Sequence, residues 1–321
     1  MVAGTSVRPA QGPPVMRRRA FLKRSTAAAV AIGAGALASD AASKRAAEAA
    51  PAVPAAIRDP KPGEHQLIRM QRELYRAMAK PVEQRNWIMV IDTRRCIGCD
   101  ACTVACTAEH GLPPGVSYRT VVKVETGEFP NVEAYFKPTG CQQCDKPPCV
   151  PAANAVSPGA MAKRPDGIVS VDYEKFNRKA FEAARKVCPY KALAFDEGRY
   201  WTEGTPALQA YETRPKVEYG KVWARTNGAL PIGAGRKCHF CLGRIDAGLL
   251  PACVTTCIGG AMYFGDARDP ESLVSELRRQ EKTTRINESL GTEPRLYYVG
   301  AASRTTMPAS TPESCQTCHG R

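Results

Sequence analysis

Fourteen cysteines are the residues of this chain best suited to do chemistry. Twelve fall into tight groups: Cys96-x2-Cys99-x2-Cys102-x3-Cys106, Cys141-x2-Cys144-x4-Cys149, a lone Cys188 followed by Pro189 and Tyr190, and Cys238-x2-Cys241-x11-Cys253-x3-Cys257. A C-x2-C-x2-C-x3-C run wraps an iron–sulfur cubane: three closely spaced thiolates cap three irons, and the fourth cysteine points away to ligate a different cluster. Zinc also binds C-x2-C pairs, but three cysteines at successive x2 spacings fit its tetrahedron poorly. Disulfides are the other use of cysteine, and such clustering along the chain argues against them. The groups are also too dispersed for a disulfide-stapled mini-protein, which concentrates its cysteines in a much shorter chain.

The remaining pair, Cys315 and Cys318, lies in SCQTCHG, a C-x-x-C-H motif. Covalent haem attachment needs two thiols for the vinyl groups and a following imidazole for the iron, which makes His319 the proximal ligand. A redox-active or structural disulfide is the competing use of the pair. The short stretch after Cys318 cannot build a cytochrome domain, so a haem there packs on the body or on a partner. Met307, His65 and His110 are the candidates for its distal ligand. His239, between two cysteines of one group, is expected to hydrogen-bond locally.

Several elements must position these groups. NWIMVIDTRR (86–95) alternates like a strand and runs into the first cysteine group, while GIVSV (167–171), ALAFD (192–196) and PRLYYVG (294–300) are further strands. HQLIRMQRELYRAMAK (65–80) has helical apolar spacing and stops at Pro81, and DPESLVSELRRQEK (269–282) is amphipathic. Residues 198–236 are rich in Tyr, Trp, Gly and Pro, lack cysteine, and read as an insertion that fills space in the core or docks a partner. Residues 39–64 are an Ala/Pro-rich linker, and the tail from 301 is polar.

At the other end, Arg18-Arg19-Ala20-Phe21-Leu22-Lys23 precedes the weakly hydrophobic run TAAAVAIGAGALA, with Ala36-Leu37-Ala38 as a small-residue cleavage site. This is the pattern of a twin-arginine export signal over residues 1–38, with Met16 a plausible start. That route carries folded proteins, which suits a cofactor built in before export and a periplasmic destination. No run of 18 apolar residues follows, so no transmembrane segment is expected. The chain has 321 residues, 44% hydrophobic and 24% charged, enough for two ordinary domains with a core. Its formal charge of +14 would suggest nucleic acid, but the six basic residues of 1–38 leave 14 − 6, or +8.

The segments CIGCDACTVAC, CQQCDKPPCV, VCPY, KCHFCLGRIDAGLLPACVTTC and YFGDARDPESL together resemble the ferredoxin-like iron–sulfur (beta) subunits of molybdopterin oxidoreductases, of the tetrathionate, polysulfide and arsenate reductase type. The resemblance spans about 86–300, interrupted by the insertion. It implies an α+β fold of two pseudo-symmetric modules of the bacterial dicluster ferredoxin kind. The first comprises 86–140 plus 237–300, the second 141–197, with loop-rich cluster-binding segments. The family holds four clusters in two pairs, each pair exchanging its last cysteines. Carried over, cluster one takes Cys96, Cys99, Cys102 and Cys257; cluster two takes Cys238, Cys241, Cys253 and Cys106; cluster three takes Cys141, Cys144, Cys149 and Cys188. The fourth would need cysteines at position 153, which is Ala153, and at three places shortly before Cys188, where none stands. Three 4Fe–4S clusters are therefore expected. At roughly −2 each with their thiolates they bring the charge to about +2, which removes the support for nucleic acid.

The resemblance also implies partners: a large molybdopterin-containing chain next to cluster one and a membrane quinol-interacting subunit or a c-type cytochrome at the far end. There the haem of the tail would take the place of the missing cluster. Nothing in the chain resembles a substrate pocket with an acid–base pair or nucleophile, so catalysis belongs to the partner. The alternative reading is an iron–sulfur partner of a quinol dehydrogenase feeding a cytochrome reductase such as nitrite reductase. A zinc- or disulfide-stabilised binding module is a third.

Overall fold

The computed structural model describes residues 63–300 apart from Asn227. The segment expected to be an export signal, most of the expected linker and the tail with Met307, Cys315, Cys318 and His319 lie outside the described residues.

Helix α1 (Gln66–Met78) forms as its spacing predicts. Leu67 N–H donates to the His65 side chain at its start, and Met70, Leu74 and Ala77 make one buried stripe. Strand β1 (Trp87–Asp92) follows. Its sequence alternates, yet all six residues are buried, because both faces of the strand are covered. Next come α2 (Ala101–His110), a hairpin of β2 (Arg119–Thr126) and β3 (Glu133–Gly140), and α3 (Cys149–Val156). The short pair β4 (Met161–Lys163) and β5 (Val169–Val171) leads to α4 (Arg178–Val187). Ala180 N–H on Asn177 Oδ1 caps α4, and the helix stops at Cys188, whose extended backbone is what a residue preceding proline favours. Strand β6 (Ala194–Phe195), the short helix α5 (Ala210–Thr213), the hairpin β7 (Lys216–Glu218) and β8 (Lys221–Trp223), and β9 (Gly235–Arg236) come next. The chain closes with α6 (Leu242–Asp246), α7 (Ala252–Thr255), β10 (Met262–Asp266), α8 (Leu273–Gln280), β11 (Thr283–Thr284) and β12 (Leu296–Val299). This is the expected α+β, ferredoxin-like fold.

The main sheet has the order β10-β1-β12-β11. Strand β1 is antiparallel to β10, with Met89 opposite Phe264, and parallel to β12, with Met89 opposite Leu296. One face carries Ile88 and Gly265, and a Cβ on Gly265 would meet Val274 of α8 at 3.0 Å, so glycine lets that helix lie close. The other face carries Trp87, Met89 and Phe264. Trp87 stacks on Phe264 at 5.3 Å, and Phe264 meets Phe240 of the Cys238–Cys241 loop edge-on at 5.4 Å. The sheet thus separates a helical layer from the cysteine loops. The β2–β3 hairpin, which the sequence reading leaves unassigned, packs Phe136 against Gly98 in the first cysteine loop.

A second apolar cluster lies under α3 and α4, built from Ala153, Phe176, Ala180, Phe181, Ala184 and their neighbours. It fills the place where the resemblance puts a fourth ligand set: Ala153 has no exposed surface, and the turns of α4 before Cys188 point Phe181 and Ala184 inward. Tyr219 and Trp223 of the 198–236 segment pack on the same cluster, each about 5 Å from Tyr173. Elsewhere in that segment, Trp201 Nε1 donates to Leu112 O just past α2 and Lys216 Nζ to Ala108 O of α2.

Among the described residues, no helix is long and apolar enough to cross a membrane.

Candidate metal centres

The described cysteines are all free thiols. In the first C-x2-C loop of each of the three multi-cysteine groups the residue just before the second cysteine has a left-handed backbone: Gly98 (φ 68°), Gln143 (φ 48°) and Phe240 (φ 55°). That conformation turns the chain sharply enough to bring both sulfurs to one side, at a cost of about 1–2 kcal/mol for the two non-glycine residues. Gly98 also has no alternative sterically, since a Cβ there would meet the Phe136 ring at 2.5 Å.

In each foursome that the resemblance implies, cysteines from different parts of the chain lie close to one another. Cys99 and Cys257 lie near enough to Cys96 to act on its charge, and Cys257 does the same to Cys102. Cys106, from α2, faces Cys238, Cys241 and Cys253. Cys141, Cys149 and Cys188 surround Cys144, and with Pro147, Pro148, Pro189, Tyr190 and Lys237 these four line a cavity. The first two foursomes adjoin, since Cys253 also acts on Cys102. Burial pushes the Cys102 and Cys238 thiols up to about 11 and the Cys144 and Cys149 thiols to about 12, and neighbouring cysteines add to each shift. Four buried thiols crowded together are deprotonated together only when a polycation sits among them.

Backbone donors are already aimed at the sulfurs. Ala261 N–H donates to Cys257 Sγ at 3.2 Å, and the N–H groups of Tyr190, Lys191 and Ala192 all point at Cys188. Thr292 hydrogen-bonds Cys144, and Tyr190 Oη lies 2.5 Å from Thr292 Oγ1.

Buried cations complete the arrangement. Arg119, on β2, has 2% of its surface exposed and stands among Cys102, Cys106, Cys238 and Cys253, at the junction of the first two foursomes. Burial alone would lower its pKa, but those four sulfurs raise it. Its Nη2 touches Met89 Sδ at 3.2 Å, while Nη1 is buried with no hydrogen-bond partner. Lys237 lines the third cavity, donates to Val169 O and Cys238 O, and opposes the burial-driven rise at Cys149. An orphaned guanidinium amid four thiols fits a dianionic iron–sulfur cluster with its thiolates and would be costly beside neutral thiols. The donor set is all sulfur, so the residues fit the cofactor that the spacing predicts.

A 4Fe-4S dicluster domain is recognised over residues 132–204 and 225–267. The chain is 49% identical over 233 residues to the selenate reductase B subunit of Mesobacillus selenatarsenatis, covering 73% of this chain and 78% of that protein. This chain belongs to the iron–sulfur beta-subunit family of the molybdopterin oxidoreductases. The tetrathionate reductase B subunit of Salmonella typhimurium is 33% identical, covering 70% of this chain and 76% of that protein. Arsenate respiratory reductase iron-sulfur subunit ArrB of a Shewanella species is 29% identical, covering 66% of this chain and 94% of that protein. As a member of this family, the chain is an iron–sulfur electron-transfer subunit of a reductase.

Of the two described histidines expected as haem-ligand candidates, one is engaged elsewhere. His110 is buried, with Nδ1 2.8 Å from Glu218 Oε1 and Nε2 3.2 Å from Cys241 Sγ, so neither nitrogen is free for haem iron. His65 is exposed, with Nδ1 accepting Leu67 N–H at the start of α1. His239 does bond locally: Nε2 reaches Glu218 Oε1 at 3.1 Å, and Nδ1 accepts Leu242 N–H at 2.8 Å. His110, Glu218 and His239 come within 4.8 Å of one another, yet hydrogen bonds already engage their ring nitrogens and carboxylate oxygens, which leaves no lone pairs converging on an ion. Sequence reasoning missed Arg119, Lys237 and Glu218. Only the single acid of KVEYG, flanked by apolar residues, hinted at the last.

Proposed function

We propose that this chain holds three 4Fe–4S clusters and one c-type haem, and relays electrons between a molybdopterin catalytic subunit that reduces an oxyanion of the selenate or tetrathionate kind and a quinol or c-type cytochrome partner. The observation that carries this reading is that Cys257 lies beside Cys96 and Cys102, Cys106 beside Cys238, Cys241 and Cys253, and Cys141, Cys149 and Cys188 around Cys144. Cys96, Cys99, Cys102 and Cys257 would hold the first cluster, Cys238, Cys241, Cys253 and Cys106 the second, and Cys141, Cys144, Cys149 and Cys188 the third. When bound, a cubane accepts and releases one electron at a potential set by burial, charge and hydrogen bonds to its sulfurs.

The polypeptide supplies those settings. Apolar packing of Trp87, Phe240 and Phe264 excludes water behind the first two foursomes, and Arg119 offsets charge between them. The pairing of β1 with β10 and β12 supports one module made from 86–140 and 237–300, with 141–197 as a second. The twin-arginine pattern supports export of the folded protein to the periplasm, where Cys315, Cys318 and His319 can be loaded with haem.

Anaerobic purification of the native complex tests this. About twelve non-haem irons per chain, one haem by the pyridine haemochrome spectrum, and a co-eluting molybdenum subunit are expected. Zinc in place of iron, or far fewer irons, would overturn it.

A further inference from the structure

Glu218 stands at the end of β7, inside the cysteine-free 198–236 segment, and its carboxylate is 1% exposed. Oε2 accepts from Tyr173 Oη at 2.6 Å and Arg236 Nη2 at 3.0 Å, while Oε1 faces His110 Nδ1 at 2.8 Å and His239 Nε2 at 3.1 Å. Arg236 is in turn held by Asp196 at 3.1 Å, which also binds Arg225 of the same segment at 2.7 Å. The carboxylate is therefore fixed from four sides. It fixes His110, whose ring cannot rotate without losing the 2.8 Å contact and a tilted packing on Tyr118 at 5.3 Å. The other ring nitrogen, Nε2, is thereby aimed at Cys241 Sγ at 3.2 Å.

We infer that the 198–236 segment is an electrostatic support whose Glu218 orients His110 to donate a hydrogen bond to the sulfur of Cys241, and so sets the potential of one cluster. This rests on the proposed reading that Cys241 is a cluster ligand. An iron-bound thiolate carries no proton, so the bond across that 3.2 Å contact is an N–H of His110 donating to sulfur. Such a donor draws charge from the sulfur and stabilises the reduced cluster, which raises its potential. In this structure no cysteine of the third foursome has a histidine partner among the described residues: Cys144 has Thr292, and Cys188 has backbone N–H groups. The effect therefore falls on one cluster.

The test uses the full chain in its native complex, labelled with 15N-histidine, reduced with dithionite and examined by pulsed electron paramagnetic resonance, together with a redox titration of each cluster signal. One reduced cluster should show a histidine 15N coupling. His110→Phe should remove it and lower the potential of that cluster alone, with iron content unchanged. His110→Gln, which keeps an N–H at the same reach, should bring the potential back toward that of the parent. Absence of any histidine coupling in the parent, or a His110→Phe variant with full iron and every potential unmoved, overturns the inference. Should His110→Phe shed iron, the coupling in the labelled parent decides alone. Failure of the underlying cluster reading would look different: the parent itself would give no cubane signal.

Discussion

The first two foursomes and the third solve one problem in opposite ways. Cys96–Cys106 and Cys238–Cys257 interleave, so that Cys106 sits with the later group and Cys257 with the earlier, and Arg119 lies where the two meet. The third foursome touches the second through Cys141, which acts on Cys238, but takes part in no such interleaving. Where the resemblance puts a pseudo-symmetric counterpart, Ala153, Phe176, Phe181 and Ala184 form part of an apolar cluster. One volume is sulfur-lined and the other apolar, and each is internally consistent: cations accompany the thiols, and aromatic rings accompany the alanines. The lesson is that a volume without cysteine ligands must be filled by apolar side chains, because an unfilled cavity would cost roughly 24 cal/mol for each Å³.

The sharpest way to break this contrast is to remove one cysteine from each region. Cys188→Ser should cost about four irons per chain, whereas Cys106→Ser, in the interleaved pair, should cost more, up to about eight, as read by metal analysis after anaerobic purification. Equal losses would mean that the two regions are not built differently. Phe181→Ala should then lower the unfolding free energy by about 3–5 kcal/mol in a denaturant titration while leaving iron in the first two foursomes intact. Arg119→Met exchanges a buried cation for an apolar chain. The potentials of two clusters should fall in a redox titration and the third should not move, which places the cation at the junction of the pair. The smallest effect is expected for Ala153→Cys: about 1 kcal/mol or more lost to overpacking, with iron content unchanged. Extra iron in that variant would show that the apolar packing is no barrier to a fourth cluster.

Much of this was open to reading in the sequence, for identifiable reasons. The cysteine spacings carry the ligand chemistry because C-x2-C geometry is local, and α1, α4's end at Cys188, α8 and β12 follow from periodicity, caps and proline. Of the three left-handed turns only Gly98 announces itself, since Gln143 and Phe240 are held there by tertiary contacts: the Gln143 amide, for example, donates to Cys238 O at 2.5 Å and accepts from Val169 N–H at 2.8 Å. The β2–β3 hairpin is obscured by Arg119 and Lys137, charged residues that the fold buries at positions where alternation predicts exposure. Glu218 is harder still. Its significance depends on His110 and His239 arriving from other segments, and no local pattern encodes that meeting.

The central strand carries a consequence for the order of synthesis. Both neighbours of β1 come late: 262 − 92 gives 170 residues before β10 can pair with it, and β12 comes later again. At about 5–20 residues per second, translation leaves the strand without either neighbour for roughly ten to thirty seconds. A nascent chain halted at Thr255 should accordingly be cut readily by protease around residues 87–92, and one released at full length should resist.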